Sequence, residues 1–167
     1  MARNLSVSDW EVASIVQMGG AAGPGAGVYF FEFRSKNANF RGQFIFTGGG
    51  IGAGGSIGGA SAPSPADVFR NKAYSPFAKL DCDQSFTAND LDKSAGRISS
   101  IGASGAYGYS FTYITALKNP YLAALTLTIF GDTLFHAQSV GGFGVGVGAG
   151  VNVFGGVWKL IGESHYY

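Results

Sequence analysis

Charge is scarce in this chain, most of all in its second half. From Ile98 through Trp158 the only formally charged residues are Lys118 and Asp132, each in a turn sequence, Lys118-Asn119-Pro120 and Phe130-Gly131-Asp132-Thr133. An antiparallel sheet ordinarily keeps one polar, solvated face. Strands uncharged on both faces therefore either rely on Ser, Thr and backbone to wet one face or need an outer cover: a membrane, an oligomer partner or the rest of the chain. Charged residues make up 13% of the sequence and the net charge is +1 with no basic stripe, which excludes nucleic acid as the main partner. The single cysteine, Cys82, excludes an internal disulfide and leans towards a reducing compartment. The amino terminus, MARNLSVSDWEVASIV, shows no charged segment followed by an apolar core and a small-residue cleavage site. The expectation is a cytoplasmic protein or one exported by a signal-independent route. The one uncharged tract long enough to cross a bilayer, Val140 to Trp158, alternates with a period of two, so no transmembrane helix is expected.

Glycine is abundant instead, at 28 of 167 residues. Gly142, Gly144, Gly146, Gly148 and Gly150 fall on one face of an extended strand, with Phe143, Val145, Val147, Ala149, Val151 and Val153 on the other. The same division recurs where Gly102, Ser104, Ala106, Gly108 and Ser110 alternate with Tyr107, Tyr109, Phe111 and Tyr113, and again around Gly48, Gly50, Gly52 and Gly54. A helix with small residues every fourth position is the competing local reading, but each glycine costs a helix about 1 kcal/mol against alanine and the alternation is strict. A face stripped to backbone admits three purposes: collapse of sheet walls in a narrow barrel, close approach of a ligand or partner, or the lining of a membrane barrel.

Along the chain, Ser8-Asp9-Trp10-Glu11 fits a capping box and predicts a short helix over Asp9 to Gln17. The alternative is a strand with Trp10, Val12, Val16 and Met18 along one face. A Gly-rich lead-in, Gly19 to Gly27, precedes a hairpin of Val28 to Arg34 and Phe40 to Ala53 around Ser35-Lys36-Asn37-Ala38-Asn39. Residues 59–77 read as a loop with a short helix from Pro65 to Asn71. Strands follow at Lys79 to Phe86, at Arg97 to Leu117 with a bend at Gly102 or Gly105, and at Tyr121 to Phe130, Thr133 to Val140 and Gly142 to Leu160. Thr87 to Leu91 reads as a capped turn, Gly131-Asp132 as a hairpin turn, and 161–167 as a tail. The sum is a single all-β domain, a compact antiparallel barrel of about eight strands with glycine-rich faces and one or two short helices.

The segments GVYFFEF, FRGQFIFTGGGIGAGG and LTLTIFGDTLFHAQSVGGFGVGVGAG, between Val28 and Gly150, resemble the virulence-associated protein A family of actinobacterial pathogens. The resemblance implies a glycine-rich, eight-stranded antiparallel barrel, exported and acting at host endolysosomal membranes without a known active site. It transfers no functional residue.

Chemistry-bearing residues are few. A nucleophilic serine with His136 and Asp132 lacks any supporting local signature, and His165 sits at the terminus, so the protein reads as non-enzymatic. Cys82 between Asp81 and Asp83 reads as a small strand residue rather than a reactive thiol. Asp81, Asp83, Asp90 and Asp92 are the densest acidic group, without calcium-loop spacing; no metal and no cofactor are expected. Gly48-Gly49-Gly50-Ile51-Gly52 lacks the Lys-Ser/Thr pair of a phosphate loop. The contact candidates are Tyr107, Tyr109, Phe111, Tyr113, Phe143, Val145 and Val147, although most of Tyr107, Tyr109, Phe111 and Tyr113 are expected to be core, facing Phe44, Phe46 and Leu127 across the barrel. The expected function is association with membranes or apolar surfaces, as a bacterial effector or virulence-associated protein, with a lipid surface or a protein as partner. The rivals are a carrier of an apolar small molecule in a lipocalin-like barrel, a structural subunit of a homo-oligomer, and a small outer-membrane barrel.

Overall fold

The computed structural model describes residues 2–18, 23–54, 76–104, 108–118, 133–144 and 148–164. After a 3-10 turn at Ala2–Asn4 the elements are β1 (Glu11–Met18), β2 (Gly23–Ser35), β3 (Phe40–Gly54), β4 (Ala78–Lys79), β5 (Asp81–Cys82), α1 (Ala88–Leu91), β6 (Ala95–Ser104), β7 (Gly108–Leu117), β8 (Thr133–Gly144) and β9 (Gly148–Ser164). They form one antiparallel sheet in the order β4-β1-β2-β3-β9-β6-β7-β8-β5, curled into a nearly closed barrel, as the alternating sequence predicts.

The closure follows from strand parity. Seven long strands, each antiparallel to its neighbour, leave the outermost two, β1 and β8, running in the same direction. They lie side by side without an antiparallel ladder of their own. The segment 78–82 joins them at one end: β4 pairs with Glu11 and Val12 of β1, and β5 pairs with Phe135 and His136 of β8. It runs antiparallel to both. Leu80 N–H donates to the Trp10 carbonyl at 2.9 Å and Asp83 N–H to the Leu134 carbonyl at 3.1 Å, and the Leu80 side chain is buried.

Several local expectations change. Of the two readings of Asp9 to Gln17 the strand holds, as β1, and not the helix: the Asp9 carboxylate accepts from the Ser35 hydroxyl and from Asn37 N–H, tying β1 to the β2–β3 turn. The Gly-rich lead-in supplies the first part of β2, whose Gly23 to Gly27 pair with Gly52 to Gly48. Arg97 to Leu117 is not one bent strand but two, β6 and β7, paired from Ala95↔Leu117 to Ser104↔Gly108. Gly142 to Leu160 likewise belongs to two strands, β8 and β9, with β6 and β7 between them in the sheet. The predicted Lys79–Phe86 strand reduces to β4, β5 and a single bridge between Phe86 and Val7. Ile161 to Ser164, read as tail, complete β9. The hairpin β2–β3 and the capped turn stand: Thr87 and Asp90 form a capping box at α1. The expected helix at Pro65–Asn71, the strand at Tyr121–Phe130 and the turn at Gly131-Asp132 lie outside the described residues.

Aromatic side chains fill the barrel near the charged end. Trp158 packs against Phe46, Phe31, Phe33 and Phe135 with ring centroids 5.0 to 6.4 Å apart, and Trp10 stacks on Phe86 at 5.2 Å. All are buried, each contributing about 1.5–3 kcal/mol or more of transfer free energy. Both indoles are satisfied: Trp158 donates to the Thr115 carbonyl at 3.1 Å and Trp10 to the Phe86 carbonyl at 3.3 Å. A β-carbon on Gly96 would lie 2.2 Å from the Trp158 indole nitrogen, so the ring occupies the space that glycine leaves.

Candidate functional site

The barrel carries its charge at one end. Glu11, Glu32, Arg34, Arg41, Lys79, Asp81, Arg97, Lys159 and Glu163 all lie towards the end that holds Trp10 and the β2–β3 turn. Towards the other end no strand carries Asp, Glu, Lys or Arg: 12–18, 23–31, 42–54, 98–104, 108–117, 137–144 and 148–158 are all uncharged.

Register shows what replaces the charge. One cross-strand row reads Ala53, Val151, Ile101, Phe111, Val140, and the row beside it Ile51, Val153, Ser99, Tyr113, Gln138. The described large side chains of these rows face outward: Ile101 is 57% exposed, Val151 49% and Tyr113 42%. Nearer the tip, Ala149, Ala103, Tyr109 and Phe143 are aligned. The rows between, which share the face of buried Thr112, read Gly52, Asn152, Ser100, Thr112, Ser139, then Gly54, Gly150, Gly102, Ser110, Gly142, then Gly148, Ser104, Gly108, Gly144. At this end rows of small and polar residues thus alternate with rows that carry aliphatic and aromatic ones, of which the described Ile101, Val151 and Tyr113 are exposed. At the charged end aromatic rings fill the inside, and the outside carries charge together with exposed Val157 and Ile161.

Glycine also permits the tight curl. A β-carbon on Gly48 would come 2.4 Å from the Gly155 carbonyl oxygen, on Gly50 2.0 Å from that of Val153, and on Gly156 2.1 Å from that of Thr47. These three positions share the face of Phe46, Phe154 and Trp158, so the glycine face looks into the barrel. Of the glycine face expected on one strand, Gly142 and Gly144 are in β8, Gly148 and Gly150 in β9, and Gly146 lies outside the described residues. Tyr107, Val145 and Val147 lie outside them too. Tyr113 is not core, as its exposure shows.

Below the Tyr113 row sits a polar cluster that sequence reasoning missed. His136 Nδ1 lies 2.9 Å from Asp83 Oδ2, which also accepts from the Thr133 hydroxyl, and the Tyr113 ring lies 6.0 Å from that of His136. The acid beside His136 is thus Asp83; Asp132 lies outside the described residues. Burial, then Asp83 and Asp81, hold the Tyr113 phenol above its ordinary value. Burial is also the largest cause pushing the Cys82 thiol up to about 11, with Asp81, Asp83 and Asp9 adding to it and a hydrogen bond with the Trp10 backbone opposing. The nearest signal in the sequence was the Asp81-Cys82-Asp83 run, but only the pairing of β5 with β8 brings it to His136.

The remaining acidic residues have structural work. Asp90 closes the α1 capping box and Asp92 accepts from Leu160 N–H at 2.9 Å. No group of three or more His, Cys, Asp or Glu able to hold a metal occurs among the described residues. A pocket of about 160 Å³ at the charged end is lined by Glu32, Arg41, Gln43, Gly162 and Glu163, with Glu32 buried and ion-paired to Arg41. Its lining suits a polar occupant. Comparisons with family models, with curated proteins and with solved structures find no match to this chain.

Proposed function

We propose that this protein is a non-enzymatic barrel that associates with membranes through its uncharged end. The observation that carries the reading is the opposition of Ile101 and Val151 across β6 and β9, two large aliphatic side chains about half exposed in a region where no strand offers a charge. A contiguous exposed apolar surface marks an interaction site. The likeness of three segments to the virulence-associated protein A family points the same way.

A carrier of an apolar small molecule fits less well. The barrel near Trp158 is filled by aromatic rings, and the pocket at the charged end is lined by two glutamates, an arginine and a glutamine. The reading is tested by flotation of detergent-free protein with vesicles, with organic extraction of the same preparation. Flotation without an extractable ligand supports it. A stoichiometric apolar ligand, with no flotation, favours the carrier.

A further inference from the structure

Resting on that membrane reading, we infer that the barrel docks end-on, with its glycine-lined end sunk into a single leaflet to the level of Tyr113 and its Trp158 end in water. Three observations converge. The first is the reversal of polarity along the barrel axis. A soluble barrel buries apolar side chains and wets polar ones; here Val151 and Ile101, the described side chains of the row Ala53-Val151-Ile101-Phe111-Val140, are about half exposed, while the alternate row Gly54-Gly150-Gly102-Ser110-Gly142 is made of glycine and serine, and an apolar surrounding suits that order.

The second is circumference. Above the Arg97 row the charge-free band runs through β2, β3, β9, β6, β7 and β8, whereas a second copy related by a two-fold axis would cover one patch. A fluid surrounds a barrel; a partner sits on one side. Within the band β3, β9, β6 and β7 are laddered along both edges.

The third is depth. Above the level of Arg97, β6 (from Ile98) and β9 (up to Phe154) have seven residues each before their tips at Ser104 and Gly148. At about 3.3 Å per residue that is about 23 Å of strand. At a tilt of about 40° it is about 18 Å of depth. The hydrocarbon core of a bilayer is about 30 Å thick, so the band matches one leaflet and falls short of two. Tyr113, an amphipathic ring of the kind enriched at the headgroup level, sits one row above Arg97 and His136.

The test uses the full chain in a Cys82→Ser background, labelled with the environment-sensitive dye NBD at Ile101→Cys, Val151→Cys, Val157→Cys or Ile161→Cys, on phosphatidylcholine vesicles. All four positions are exposed, and near-ultraviolet circular dichroism before labelling selects the folded variants. Two labelled sites, one above and one below the Arg97 row, suffice. End-on docking predicts that dithionite in the water phase reduces dye at 157 and 161 at least about tenfold faster than at 101 and 151, with quenching by acyl-chain nitroxides in the reverse order. Flotation with equal protection of all four sites, or with 157 and 161 the more protected, overturns the end-on inference and leaves membrane association standing. No flotation overturns both.

Discussion

Gly156 faces Gly48 across β3 and β9, and a β-carbon on Gly156 would come within 2.1 Å of the Thr47 carbonyl oxygen. Its neighbour Gly155 is exposed, and a β-carbon there meets nothing within 4 Å. Adjacent glycines on one strand thus have opposite demands, and Gly156→Ala should destabilise the fold by about 1–3 kcal/mol while Gly155→Ala stays within about 0.5 kcal/mol of the parent. Urea midpoints of the two variants check this. Equal midpoints would show that the inward glycine face is not what lets the barrel curl.

The segment 78–82 should matter more than its length suggests, because it joins two strands that parity prevents from pairing as antiparallel neighbours. Leu80 is buried, and Leu80→Ala should cost about 2–4 kcal/mol. Amide exchange should quicken first at Asp83, whose N–H bonds to Leu134 at the joint, if the joint opens before the rest of the barrel.

The neighbouring contact between His136 and Asp83 is a weaker element. Both His136 and Asp83 are about a third exposed or more, so Asp83→Asn should change stability by less than about 1 kcal/mol, read from the same urea titrations.

Cys82 should be slow to alkylate. Its thiol is pushed up to about 11 from an ordinary 9.0, so at pH 8 iodoacetamide should modify native protein about 100-fold more slowly than urea-unfolded protein. The sign of the linked stability follows. The folded state keeps a proton that the unfolded state gives up between pH 9 and 11, so this contribution is complete below pH 9 and is lost as pH rises to 11. Rapid labelling of native protein would contradict the burial of this thiol.

The antiparallel class, the β2–β3 hairpin and the Thr87–Asp90 cap were legible because each rests on local signals: alternation, a turn sequence, a capping pair. The tips of β6–β7 and β8–β9 were not, since glycine continues the alternation where the chain changes strand and composition alone does not mark the change. The Asp9 capping signal misled because its carboxylate bonds to the β2–β3 turn, a contact no local pattern encodes. Of the candidate site, the absence of charge was plain from Ile98 to Trp158; that all the uncharged strand ends meet at one end of the barrel is a property of register. The His136–Asp83 pair needed the β5–β8 pairing.

Lipid charge should matter little. With 11 basic and 10 acidic residues the net charge is +1, so affinity for phosphatidylcholine vesicles and for vesicles containing phosphatidylserine should agree within about threefold. Raising the salt concentration should leave flotation unchanged, since apolar burial is not screened. Flotation that depends on phosphatidylserine and is abolished by salt would place the contact at the charged end instead.

The most direct measurement is flotation of the parent chain beside its Ile101→Asp variant on phosphatidylcholine vesicles, with circular dichroism on both. Ile101 is 57% exposed, so the variant should keep the fold. A carboxylate in the hydrocarbon opposes insertion by about 2.5–3.5 kcal/mol, so vesicle affinity should fall about 100-fold. A parent that floats and a folded variant that does not is the predicted result. A parent that stays with the soluble fraction, or a variant that floats as well as the parent, would contradict the account.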